Sequence, residues 1–128
     1  MVSLDSSFLI DLLAGERRAI EKARELDRTG EPRRIAAPAA AEVLIGGYRL
    51  GGAYFTRTRQ LVDSLPHLPF DRAACHEAGR LGSILTERGT LVGAADLFIA
   101  AITLRHGERL LTRDQGFARI PGLAVESY

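Results

Sequence analysis

Short apolar runs separated by helix-length stretches constrain the architecture this chain can adopt. VSL at 2–4, RIAA at 34–37, RLLT at 109–112 and LAV at 123–125 each read as a strand of three or four residues. The intervals carry helix start and stop signals. Ser6 or Ser7 suits the cap of a short helix through Leu13. Residues 16–29 form a charged amphipathic helix with Ile20, Ala23 and Leu26 on one face, ended near Gly30 and Pro32. Pro38 fits the first turn of a helix carrying Glu42, Val43, Leu44 and Ile45, and the GGYRLGG run from Gly46 to Gly52 is expected to break it. Further helices are expected at 54–65, at 71–88 with Gly89 as the stop, and at 94–105, with 66–70 a connection or short strand. This alternation predicts an α/β fold: a short, mostly parallel sheet flanked by helices on both faces. No repeat or linker divides the 128 residues, so one domain, 1–128, is expected.

Three carboxylates stand alone in stretches that hold no other charge. Asp5 is the only charge in MVSLDSSFLI, Glu42 in IAAPAAAEVLIGGY and Asp96 in TLVGAADLFIAAITL. An ionised carboxylate in apolar surroundings costs several kcal/mol, by order of magnitude, unless something compensates it. No Lys or Arg lies within these segments, and one divalent cation shared by the acids would compensate all three. Chain order supports convergence. Asp5 follows the first strand and Asp114 follows RLLT, so both fall at carboxyl ends of parallel strands, where open sheets place ligands. Glu42 and Asp96, early in their helices, are able to face the same edge. Each acid also has a structural reading: Asp5 as a helix cap, Asp96 as a dipole partner, Asp114 as a turn residue beside Arg113. Glu42, inside an apolar helix, is the hardest to explain structurally.

The remaining chemistry is sparse. A formal net charge of +1 confines any nucleic-acid site to a local patch, to which Arg33, Arg34, Arg57, Arg59 and Arg113 are candidates. The single cysteine, Cys75, excludes an intrachain disulfide and a multi-cysteine zinc cluster, suits a reducing compartment, and is expected half-buried on a helix. His67, His76 and His106 lack paired spacing, Ser6 and Ser7 lie in no nucleophile elbow, and GGYRLGG matches neither phosphate-loop nor dinucleotide spacing. No segment has the length of a membrane span and no secretory signal is evident, so a cytoplasmic location is expected.

The stretches LDSSFLIDLL, PAAAEVLIG, GAADLFIAAITL and LLTRDQGFARIPGLAVESY, in that order, resemble a PIN-domain ribonuclease of the VapC toxin type. The resemblance spans nearly the whole chain and implies that the acidic cluster falls on Asp5, Glu42, Asp96 and Asp114. It further implies Mg2+, with Mn2+ as a substitute, held by those acids for hydrolysis of RNA phosphodiesters. The implied partners are an RNA substrate, a cognate VapB-like antitoxin that carries the DNA-binding part, and a second copy of the chain in a homodimer. Thr112 is a candidate hydroxyl near the metal, and Leu44, Ile45, Tyr48, Tyr54 and Phe55 a candidate contact surface. One departure stands out: Ala39 lies three residues before Glu42, where such toxins often have Ser or Thr. The rival readings are a PIN-like module that binds RNA or protein without cleaving it, and a phosphoacceptor receiver. Against the receiver, the one lysine, Lys22, comes far too early.

Overall fold

Val2–Leu4 (β1) forms the centre of a five-stranded parallel sheet in a computed structural model that describes residues 1–128. In chain order, β1 is followed by helices Ser6–Leu13 (α1) and Arg17–Thr29 (α2), then Arg33–Ala36 (β2). Ala37–Leu50 (α3) and Gly52–Asp63 (α4) lead to His67–Leu68 (β3). Arg72–Glu87 (α5) and Ala94–Arg105 (α6) lead to Arg109–Leu111 (β4), and a 3-10 turn at Gln115–Arg119 precedes Val125–Glu126 (β5). The strand order is β3-β2-β1-β4-β5, every pairing is parallel, and Ser3 stands in register with both Arg34 and Leu110.

Successive strand residues point to opposite faces, and Val2, Ser3 and Leu4 are all buried, so helices cover the sheet on both sides. Phe8 and Leu9 from α1, Leu26 from α2, Val43 from α3, Leu81 from α5 and Ile99 and Ile102 from α6 join Ile35, Leu110 and Leu111 in one core. The chain moves from β1 to one side, then crosses back to β4. The carboxyl ends of β1 and β4 therefore flank the point where the order reverses, the usual ligand position in open α/β sheets.

Several local expectations shift. Asp5, not Ser6 or Ser7, takes the N-cap position of α1. β2 begins one residue earlier than RIAA suggests, because Ala36 becomes the N-cap of α3 and Pro38 lies in its first turn. GGYRLGG does break the helix, but only at its second glycine pair: α3 runs to Leu50, and the turn into α4 comes at Gly51, where φ is 64°. Gly47 serves packing instead, since a Cβ there would approach Thr58 Cγ2 of α4 to 2.8 Å. The last strand falls at Val125–Glu126 rather than 123–125, and Cys75 is exposed rather than half-buried.

The amino ends of the strands hold paired charges. Arg109 bridges Glu31 and Glu126, and the N-terminal amine lies 3.3 Å from Glu31. The Arg109 hydrogen bonds hold the Glu31 carboxyl down at about 2. Asp5, Glu42, Asp96 and Asp114, at the opposite edge, form no ion pair.

Candidate functional site

Asp5 leaves β1 at its carboxyl end with its backbone N–H on the Leu111 carbonyl at 3.0 Å, which fixes it against β4. It is 3% exposed, and its carboxylate makes no capping bond to the α1 backbone. Oδ2 accepts two hydroxyls instead, from Ser7 at 2.8 Å and from Thr112 at 2.7 Å. The hydroxyls lie 3.2 Å apart, and backbone N–H groups of the loop after β4 hold them: Arg113 donates to Ser7 Oγ at 3.2 Å and Asp114 to Thr112 Oγ1 at 3.0 Å. Both donors to this buried acid are neutral hydroxyls, and no Lys or Arg pairs with it.

Glu42 projects from α3 and Asp96 from the first turn of α6, both half-buried. Burial raises the Glu42 carboxyl above its ordinary range; the charges of Asp5 and then Asp96 add to the shift, and the Ser6 hydroxyl opposes it weakly. No hydrogen bond of normal geometry forms with Ser6, and Glu42 Oε1 is buried without a partner. Asp96 is also raised, first by burial and then by the charges of Asp114 and Asp5. No basic side chain offsets either group. The four acids are thus brought within electrostatic reach of one another at one edge of the sheet. Asp114 is the most exposed, and its Oδ1 caps the 3-10 turn by accepting from Gly116 N–H at 2.8 Å, so the turn role foreseen for it is present.

The carboxylates do not stand at ligand spacing: no three His, Cys, Asp or Glu side chains form a ready-made metal set. The donor chemistry still suits a hard cation, because every candidate donor is a carboxylate oxygen and one of them is buried with nothing to bond. Ala39 is wholly buried, so no hydroxyl stands one turn before Glu42. His67 is occupied by the Val62 carbonyl at 3.1 Å.

Two contributors escaped sequence reasoning. The local sequence marks Ser7 only as a helix cap or nucleophile candidate, although it holds Asp5. Nothing in the local sequence marks Tyr128. Its hydroxyl donates to Asp11 Oδ2 at 2.6 Å, its ring packs edge-on against Phe8 with centroids 5.0 Å apart, and Asp11 pairs with Arg113. Its partner Asp11 lies 117 residues away, so no local pattern signals the pair.

The PIN-domain family pattern matches residues 2–123, and the chain belongs to that family. Within it, the chain is 30% identical over its full length to the VapC ribonuclease Mb1587 of Mycobacterium bovis, covering 99% of that protein. Ribonuclease VapC11 of Mycobacterium tuberculosis shows the same identity and coverage. Among solved structures, FitAcB from Neisseria gonorrhoeae superposes with a TM-score of 0.83 at 25% identity, covering 98% of this chain and 96% of that one. VapBC2 from Rickettsia felis, solved bound to a DNA fragment from its promoter, superposes at 0.84 with 20% identity over 100% and 99% of the two chains, a likeness of fold.

Proposed function

We propose that this chain is a toxin endoribonuclease that hydrolyses RNA phosphodiester bonds and is inhibited by a cognate VapB-like antitoxin. The full-length likeness to VapC ribonucleases supports the activity, and the VapBC and FitAB assemblies among similar folds support the partner. DNA contact would come only through the antitoxin, and a homodimer accords with the family resemblance.

Asp5, Glu42, Asp96 and Asp114 would hold Mg2+, or Mn2+ in its place. When bound, such an ion neutralises phosphate charge and acidifies water. The chain's own groups divide the remaining work. Asp5, fixed by Ser7 and Thr112, is the carboxylate that its own side-chain hydrogen bonds orient. Glu42 and Asp96, with carboxyls raised by burial and by neighbouring acids, are the groups suited to accept a proton from attacking water. The observation that carries this reading is Asp5 itself: a buried carboxylate at a helix N-cap that declines the cap and takes two side-chain hydroxyls from opposite ends of the chain.

The test is the purified chain, free of any partner, on total RNA with Mg2+, with EDTA and as Asp96→Asn. Discrete cleavage that needs both the metal and Asp96 is expected. Cleavage indifferent to both would remove the carboxylates from the chemistry. Metal binding without cleavage would favour the binding-module reading.

A further inference from the structure

Four carboxylates at one edge repel the polyanion they are proposed to cut, so a cation beside them has to receive the flanking phosphates. The loop after β4 supplies one. Arg113 is anchored twice: its backbone N–H bonds Ser7 Oγ, which in turn bonds Asp5, and its guanidinium Nε lies 3.2 Å from Asp11 Oδ2. Asp11 is largely buried, and the same Oδ2 accepts the Tyr128 hydroxyl at 2.6 Å. Ser7 and Asp11 are four residues apart on α1, about one helical turn, so the two anchors of Arg113 lie on the same face of that helix. Contact through Nε uses the side of the guanidinium, and the Arg113 side chain remains 64% exposed. It lines a hollow that opens between the loop and β5 and also contains Thr112 and Asp114, with Arg113 the single basic residue in that lining.

We propose that Arg113 is the phosphate-binding residue that seats single-stranded RNA beside the carboxylate pocket, and that Asp11 and Tyr128 are its positioning residues. The proposal rests on the ribonuclease reading. Arginine suits the role because a planar fork of donors stays charged and grips phosphate with two bonds. Pairing with Asp11 limits the rotamers it must lose on binding.

The experiment measures binding of a fluorescent single-stranded RNA in EDTA, where no cleavage occurs, across about 50–200 mM salt. Arg113→Gln should weaken binding about three- to tenfold and lower the salt slope by about 0.7, the value of one phosphate contact on a single strand. Arg113→Lys should retain the slope. Tyr128→Phe should weaken binding while leaving the slope intact, since the charge remains but its anchor is loosened. A wild-type chain that cleaves RNA while Arg113→Gln binds with unchanged affinity and slope would overturn the proposal and leave the nuclease reading standing. Tyr128→Phe binding like wild type would remove the positioning role. A wild-type chain that neither binds nor cuts RNA would overturn both readings.

Discussion

The Thr112 hydroxyl donates a 2.7 Å hydrogen bond to Asp5 Oδ2 across 107 residues of sequence, joining the ends of the two central strands. Thr112→Val keeps the shape and removes the donor from a buried carboxylate. Loss of one of the two donors to Oδ2, together with the acceptor of the Asp114 N–H, should cost about 1–3 kcal/mol in urea unfolding. RNA cleavage should fall more than stability predicts, because Asp5 loses its fixed orientation, whereas Thr112→Ser should retain most of both. Equal losses in Thr112→Ser and Thr112→Val would mean that the methyl group, not the hydroxyl, matters.

Glu42 should be a source of instability at neutral pH. Its carboxyl is raised by burial and by two neighbouring acids, so its favourable contribution is complete below the ordinary value of 4.5 and is lost as pH rises through the higher folded value. Glu42→Gln should therefore raise Tm at pH 7 by about 2 °C, corresponding to about 0.5 kcal/mol once partial solvation is allowed for. The gain should disappear near pH 4. Mg2+ should stabilise the wild type through mass action and the variant less. A Tm difference independent of pH would rule out the electrostatic origin.

The opposite edge of the sheet should respond to acid with the opposite sign. Arg109 hydrogen bonds hold Glu31 down at about 2, so its contribution is present above the ordinary 4.5 and is lost as pH falls toward 2. Glu31→Gln should flatten the acid limb of the stability profile while leaving the neutral-pH effect of Glu42→Gln unchanged, because the two sites lie at opposite edges of the sheet. A double variant whose single effects fail to add would refute that independence.

Gly46 and Gly47 should respond in opposite directions to the same substitution. Nothing lies within 4 Å of a Cβ at Gly46, so Gly46→Ala gains helix propensity and should add about 0.5–1 kcal/mol. At Gly47 the new methyl meets Thr58, which is buried and whose hydroxyl is tied to the Tyr54 carbonyl at 2.8 Å. Gly47→Ala should cost about 1–3 kcal/mol despite better propensity. Chemical denaturation of the pair reads the difference directly.

The sequence by itself determined the alternation of strands and helices, and hence a parallel sheet whose carboxyl edge would gather ligand groups. It also singled out Asp5, Glu42 and Asp96, because charge isolated in apolar segments is a local pattern and its desolvation cost does not depend on the fold. Helix 94–105 was legible to the residue, since its apolar run and flanking glycines are local as well. Tertiary structure decided what local pattern cannot carry. GGYRLGG marked the break, which falls at Gly51, but only the packing of α4 showed that close approach rather than turn geometry requires glycine at Gly47. Asp5 looked like a helix cap until β4 brought Thr112 beside it, and Arg113, Asp11 and Tyr128 formed no pattern until the terminus folded back onto α1. Hydrogen bonds between groups more than 100 residues apart leave no periodicity in the chain; they exist only once the sheet register has placed the strand ends side by side.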